Sequence, residues 1–305
     1  MKILCTSLWE NSWLPYWTKY LNERGHEVQW LIGSGTSYKS IKPYTEWSDA
    51  ILCMWAGKWA EILTHNVCDK PIYIIHQSFE VFEKNIDKIK WDNVKQLFMV
   101  NESHFKLFNK RVKNVPAIFI KNGIDTDFWG LIKRDNNARH RIAWIANINE
   151  KKGAMLVPQA MSQIHKRDRL VTLKHLGKMQ STRIEQYFNT IMAHSRTLWF
   201  DYGWVDSPID VRKFIEDTGN LLSCSLVEGH PVNIIEAMST GMKPLIHRYP
   251  GVEQQFPAKW VWDNFDDLIK IYEEEPCSEE YRQYIVDNYY YKDCYKPVVD
   301  YMEGV

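Results

Sequence analysis

The chain has 305 residues, more than one ordinary hydrophobic core accommodates, so two domains are expected. Hydrophobic residues make up 45% and charged residues 25%, a globular balance. The 38 Lys and Arg equal the 38 Asp and Glu, and a net charge of zero gives no electrostatic reason to expect a nucleic-acid binder. The six cysteines (Cys5, Cys53, Cys68, Cys224, Cys277, Cys294) contain no Cys-x-x-Cys pair and read as buried thiols in a reducing compartment. Met1-Lys2-Ile3-Leu4-Cys5 opens directly as a strand, with no charged n-region and cleavage site around an apolar stretch. No apolar run approaches the ~20 residues of a membrane span, so the expected location is cytoplasmic. The 14 tryptophans are numerous, and Trp9, Trp13, Trp17 and Trp30 crowd the first 30 residues. Core and cleft lining is their expected use, with peripheral contact at the inner face of a membrane as the second reading.

Along the first third, Ile3–Leu8 is a strand candidate. Trp13, Leu14, Trp17, Tyr20 and Leu21 recur at helical spacing up to Gly25. Strands follow at Val28–Ile32, Ala50–Trp55, Ile72–His76, Gln96–Val100 and Ala117–Ile120, with helical segments between most of them. Apolar strands with helical crossovers predict a parallel, doubly wound α/β sheet. The polar stretch Lys133–Arg141 reads as a linker. Alternation then restarts: strand Ile142–Ala146, helix Ala154–Ile164, strand Val171–Leu176, helix Arg183–His194 and strand Leu198–Asp201. A helix near Val211–Glu216, strand Leu221–Leu226, helix Asn233–Thr240 and strand Pro244–His247 follow, and Ser278–Gly304 is aromatic with helical tendency. The expected organisation is a first domain over 1–132, a linker over 133–141, a second domain over 142–280 and a terminal helix over 281–305 crossing back to the first. Two such halves facing each other leave a cleft at the carboxyl ends of their strands.

The stretch Leu226-Val227-Glu228-Gly229-His230-Pro231-Val232-Asn233-Ile234-Ile235-Glu236 carries the densest chemistry. A strand ends, a glycine permits a tight turn, and Pro231 stands where a helix can begin. Free amides at that helix start make a phosphate-sized anion site, with Glu228 and Glu236 as neighbouring carboxylates.

This stretch, running on through Ala237-Met238-Ser239-Thr240-Gly241 to Pro244, resembles the signature of glycosyltransferase family 4, retaining enzymes of the GT-B fold. The family pattern is Glu-Gly-Phe-Pro, apolar residues, then Glu-Ala-Met-Ala-x-Gly-x-Pro, and His230 stands in the phenylalanine position. Further stretches match in order: Leu21–Val28 resembles the end of the family's first helix, Lys121–Phe128 its Pro-Asn-Gly-Val-Asp turn, and Ala146–Gly153 its Gly-Arg-Leu…Lys-Gly loop. His175-Leu176-Gly177 and Tyr202-Gly203-Trp204-Val205 match two later strand-end loops.

The resemblance implies two Rossmann-like domains across a cleft and transfer of a hexose-type sugar from a nucleotide diphosphate donor (UDP- or GDP-sugar). The acceptor hydroxyl is unassigned: a glycan, a lipid or a small molecule. Glu228 would contact the transferred sugar and Glu236 the donor ribose. Lys152 would neutralise the leaving diphosphate, where charge grows in the transition state. Gly229, His230, Pro231 and Val232 would form the phosphate-facing turn, and Gly203 to Val205 would present backbone to the base. His76 resembles a family histidine lining the sugar pocket, although a strand-end histidine serves equally as structure.

Two departures stand out. The family has an arginine where this chain has Asn147, leaving Lys151 and Arg183 as candidate replacements, or weak catalysis. The loop after the first strand, Leu8–Trp13, lacks the family's glycine pair, and Asn11 or Ser12 would cap the next helix or face the acceptor. Asp125-Thr126-Asp127 spells a manganese motif of other transferases, but its place in a turn reads as no metal site. No cofactor and no nucleic-acid partner are expected. The competing readings are a donor-binding accessory subunit, a sugar-nucleotide epimerase or hydrolase, and glucosylation of modified DNA, which zero net charge disfavours.

Overall fold

The computed structural model describes residues 1–10, 13–33, 37–67, 69–205 and 207–305. Asn11, Ser12 and Cys68 thus lie outside the described residues. The chain divides into two compact units, Met1–Ile124 with Tyr289–Val305, and Asp125–Asn288.

The first unit runs β1 (Lys2–Ser7), α1 (Leu14–Glu23), β2 (Glu27–Ile32), α2 (Tyr38–Trp47), β3 (Ala50–Cys53), α3 (Lys58–Asn66), β4 (Ile72–His76), β5 (Gln96–Met99), α4 (Glu102–Arg111) and β6 (Ala117–Phe119). All pairings are parallel in the order β2-β1-β3-β4-β5-β6. The central strands are buried on both faces, which is why they read as apolar runs rather than alternating ones. Ile51, Leu63, Ile74, Leu97 and Phe108 form part of one core layer. Helix α1 stops as its glycine dictates: Gly25 has φ +80°, its N–H reaches Asn22 O, and His26 N–H reaches Leu21 O, the two bonds of a Schellman turn.

The second unit runs β7 (Arg141–Ile145), α5 (Leu156–Arg167), β8 (Thr172–Leu176), α6 (Thr182–Ser195), β9 (Leu198–Asp201), α7 (Pro208–Ile215), β10 (Asn220–Ser223), α8 (Val232–Ser239), β11 (Lys243–His247), β12 (Val261–Trp262) and α9 (Phe265–Glu273). Its parallel sheet has the order β12-β11-β10-β7-β8-β9. Trp144, Met161, Phe188, Leu222 and Trp262 anchor its core. Side-chain caps start α6, α7 and α9 at Ser181, Ser207 and Asn264.

Residues 133–141, read as a linker for their polarity, are fastened to the second unit. Arg134 donates to Thr240 O at 2.6 Å and Ile215 O at 3.2 Å. Asn220 Nδ2 donates to Arg139 O at 2.7 Å, and Gly219 N–H to Ala138 O at 2.9 Å. Of the polar side chains there, Arg134 and Arg141 serve carbonyls of the second unit, whereas Lys133, Asp135, Asn136, Asn137 and Arg139 are exposed.

The terminal segment is two helices, α10 (Ser278–Tyr289) and α11 (Tyr291–Glu303). Tyr290 breaks them, in a bridge to Ile124 where Ile124 N–H reaches Tyr289 O and Tyr291 N–H reaches Ile124 O. Within the first unit α11 packs on α1: Trp17 stacks on Tyr295 with centroids 3.9 Å apart, and the Tyr295 hydroxyl donates to Gly123 O at 2.9 Å. Gly123 is obligatory there, because a Cβ would lie 2.4 Å from Tyr291 Cα. Trp17, Trp129, Trp144 and Trp262 are fully buried, whereas Trp9 and Trp204 are half exposed. Cys5, Cys53, Cys224 and Cys294 are buried, but Cys277 is exposed in the turn before α10, against expectation. No described helix is long and apolar enough to cross a membrane.

Candidate active site

In the second sheet strand order reverses between β10 and β7. The carboxyl ends of such a pair are where doubly wound sheets hold ligands. The loops leaving these two strands carry the residues singled out in the sequence, and they meet: Lys152 Nζ lies 2.5 Å from Glu228 Oε1. Glu228 is buried, and the Lys152 side chain is 29% exposed.

Each loop is built to hold its residue. After β7, Asn149 Oδ1 accepts the Lys152 N–H at 3.0 Å, and Gly153 N–H reaches Glu150 O. Gly153 has φ +61°, and a Cβ would fall 1.9 Å from Cys224 O, so only glycine lets this loop press on the end of β10. Leu226 N–H then bonds Lys151 O at 2.9 Å, joining the two loops directly. The exposed Lys151 side chain belongs to the same turn.

The Glu228–Pro231 turn is held from below. Gln255, 3% exposed, donates to Gly229 O at 2.6 Å and accepts from the Tyr249 hydroxyl at 2.6 Å; Tyr284 in turn donates to Gln255 O. Pro231 is the N-cap of α8, Val232 its first residue, and His230 is buried beside them. The amides of Val232 and Asn233 precede the first helical bonds, from Ile234 and Ile235 N–H to Pro231 O, and present a positive end to this edge. Asn233 Nδ2 ties the helix start to Ile145 O at 2.8 Å, the last residue of β7. Glu236 is buried within α8.

Asn147 directs its side-chain carbonyl to Lys178 N–H at 2.9 Å, linking the ends of β7 and β8. Lys178 is exposed with its ammonium 5.0 Å from the Trp204 ring centre. Arg183 is exposed in the first turn of α6. Gly203 (φ +66°) accepts from Gly177 N–H and donates to Asp201 Oδ1, whose carboxylate also meets His175 Nδ1 at 2.9 Å. Val205 follows in the same half-exposed loop.

His76 is in the first unit, the last residue of β4 and 1% exposed. Its Nε2 has no hydrogen-bond partner among the described residues. Burial holds the imidazole below its usual pKa, opposed by the nearby Glu80 carboxylate. Beside it Asn122 Nδ2 donates to Gln77 Oε1 at 2.8 Å. Asp125 is a turn residue: its Oδ1 accepts the N–H groups of Asp127 at 3.1 Å and Phe128 at 3.2 Å.

The sequence reading missed Gln255, Tyr249 and Glu80. The Tyr249-Pro250-Gly251 turn signal marks the place of the first two without stating their role.

Neither a protein-family model nor a curated protein sequence matches the chain. Among solved structures, Anabaena Alr3699/HepE in complex with UDP and glucose is similar with TM-score 0.77 at 10% identity, over 100% of both chains. The lipopolysaccharide outer core galactosyltransferase WaaB, in its apo form, has TM-score 0.69 at 13% identity, over 100% of this chain and 99% of its own. A point mutant of S. aureus TarM, in complex with fondaparinux, alpha-GlcNAc-glycerol and UDP, has TM-score 0.67 at 14% identity, over 82% of this chain and 54% of TarM. The chain therefore spans about half the length of TarM. At these identities the likeness is one of fold, and the two parallel six-stranded sheets with their helices are the GT-B architecture.

Proposed function

We propose that the chain is a retaining glycosyltransferase of family 4 type that moves a hexose-type sugar from a nucleotide diphosphate donor to an acceptor hydroxyl. The observation that carries this reading is the Lys152–Glu228 pair at the switch point of the second sheet, beside the start of α8. A diphosphate has two requirements there: a cation and free amides. Lys152 supplies the first, and the opening amides of α8, behind Gly229–Val232, supply the second. Buried Glu236 would take the ribose hydroxyls and Glu228 the sugar. His76 would line the sugar pocket, and Gly203 to Val205 would face the base. The UDP complexes of HepE and TarM favour UDP as the base to test first.

In the reaction the C1–oxygen bond to the diphosphate breaks while the acceptor oxygen attacks C1 from the same face. The acceptor proton passes to a leaving phosphate oxygen, and Lys152 with the helix amides carries the charge that develops. The proposal is metal-independent, because Asp125 spends a carboxylate oxygen on backbone amides. It needs no resident cofactor.

Asn147 favours a second reading, a donor-binding accessory subunit, because it places a neutral side chain bonded to Lys178 N–H where the family has an arginine. A thermal-shift screen against UDP, GDP and ADP, followed by transfer assays with the matching sugar conjugates, tests both. A ligand at 100 times its dissociation constant adds about 2.7 kcal/mol to the native state. A shift with turnover supports the transferase, a shift without turnover the accessory subunit, and no shift at millimolar nucleotide rejects both.

A further inference from the structure

We propose that the carboxyl edge of the first unit's sheet is a platform for a pyranose ring, floored by Trp9, Trp55 and Phe79, so that the acceptor is a glycan or glycoside. The word acceptor rests on the transferase reading above; the platform itself stands on the geometry of the first unit.

Strand order in this sheet reverses between β1 and β3, which makes their carboxyl ends its ligand-binding edge. Three adjacent parallel strands, β1, β3 and β4, each send one aromatic from the loop at that edge: Trp9 after Ser7, Trp55 after Cys53, and Phe79 after His76. Their rings form one cluster in mutual contact. Trp9 and Phe79 lie 5.7 Å apart at 20° between planes, and Trp55 is tilted by 42° to each of them, 5.3 Å from Trp9 and 5.2 Å from Phe79. A core would bury such a cluster, yet Trp9 is 48% exposed.

Buried polar groups hold the loops that carry these rings. The Ser7 hydroxyl donates to Trp9 O at 2.7 Å and accepts from Trp55 Nε1 at 3.2 Å. Glu80, 1% exposed, accepts the N–H groups of Ala56 at 3.2 Å, Gln77 at 3.0 Å and Ser78 at 2.6 Å. Those amides adjoin Trp55 and Phe79. A carboxylate is costly to bury unless fully bonded, and here its bonds fix the backbone on either side of the aromatic floor. The result is a braced aromatic cluster with Trp9 half exposed and Trp55 and Phe79 partly so, and bracing lowers the ordering cost of a ligand laid on it.

The chemistry of the surface selects the occupant. One face of a pyranose presents C–H groups to aromatic rings while its hydroxyls reach the rim. A membrane patch would instead surround its aromatics with basic residues. The charged residues nearest these rings in sequence are Glu10, Lys58, Glu80, Glu83 and Lys84, and Lys58 is paired with Glu61 at 2.8 Å, so the flanking segments carry no positive excess.

The test compares the wild type, Trp9→Ala and Trp9→Phe on an array of mono- to tetrasaccharides and on phosphatidylcholine/phosphatidylglycerol vesicles, with the UDP thermal shift in parallel. Because Trp9 is half exposed, both variants are expected to fold, as their melting temperatures would show. The expected result is pyranoside binding by the wild type, weakened about tenfold or more in Trp9→Ala and largely kept in Trp9→Phe, with the UDP shift equal in all three. Absence of any array ligand, equal binding by Trp9→Ala, or an effect of Trp9→Ala confined to vesicles overturns the platform. Absence of a shift with UDP, GDP and ADP alike in all three proteins, with glycan binding intact, overturns the transferase reading and leaves the platform standing.

Discussion

Lys152 and Glu228, 76 residues apart in the chain, form a 2.5 Å ion pair at the reversal of strand order in the second sheet. The pair is partly buried, so neither charge is fully hydrated, and each depends on the other. A donor diphosphate entering beside α8 would compete with Glu228 for the lysine. That competition separates the two residues experimentally.

Glu228→Gln removes the negative charge and keeps the shape. Turnover is expected to fall about 10²–10³-fold, the scale of losing one preorganised polar group at a reacting centre. Affinity for free nucleotide diphosphate should stay level or tighten, since Lys152 no longer serves a carboxylate. Lys152→Ala should lower both. Calorimetric nucleotide binding beside steady-state kinetics gives the comparison; wild-type turnover in Glu228→Gln, or a matching loss of nucleotide affinity, would refute the assignment.

Two glycines with similar backbone angles should respond differently to alanine. Gly153 (φ +61°) leaves a Cβ 1.9 Å from Cys224 O, whereas Gly203 (φ +66°) has nothing within 4 Å of that position. Gly203→Ala should cost about 1 kcal/mol, the left-handed penalty alone. Gly153→Ala must also displace the loop from the end of β10, and a loss well above about 2 kcal/mol is expected, with nucleotide binding lost alongside. Urea unfolding of both variants is the measurement. Equal midpoints would mean that the loop does not press on the strand as described.

The central strands were legible because burial on both faces forces unbroken apolar runs, and Gly25 marks the end of α1, whereas α7 begins at Pro208, three residues before the Val211 read from the sequence. Residues 133–141 were not, because nothing in a polar run tells whether Arg134 faces water or the carbonyl of Thr240. Strand β12 escaped notice at two residues, too short for a period to register. The Lys152–Glu228 contact was implied only by a resemblance in two separate loops; composition and spacing alone gave an anion site with carboxylates. Glu80 left no trace, and Gln255 none beyond the nearby Tyr249-Pro250-Gly251 turn, since a side chain that serves distant backbone amides or carbonyls has no spacing rule.

Acid should destabilise the fold from near-neutral pH. His76 is held neutral by burial, and the His247 imidazole is likewise pushed below its usual value by burial. A histidine whose folded pKa is lowered takes up a proton in the unfolded chain first. Its stabilisation is therefore complete above about pH 6.5 and falls as pH drops towards the folded pKa. The lowered carboxyls of Asp168 and Asp217 have the same sign, but their loss begins only near the unfolded value of about 4. His76→Gln should reduce the slope of urea-derived stability against pH between about 7.5 and 5.5 and leave the slope below about 4 unchanged. An unaltered slope in the upper window would show that His76 does not titrate on unfolding as argued.

Activity, once the donor is known, should survive chelation. Asp125 and Asp127 spell a metal motif, but Asp125 Oδ1 already accepts two backbone N–H groups that shape the turn, at 3.1 and 3.2 Å. Turning that oxygen to a cation would release both amides and open the turn. Asp127→Asn is accordingly expected to leave turnover within about twofold, as for a surface change away from the reacting groups. Asp125→Ala should cost about 1 kcal/mol of stability, as loss of a capping side chain does. Excess EDTA in the transfer assay should change neither rate. Strict manganese dependence, abolished by Asp127→Asn, would place a divalent ion at this turn and remove the lysine from its role as chief partner of the leaving diphosphate.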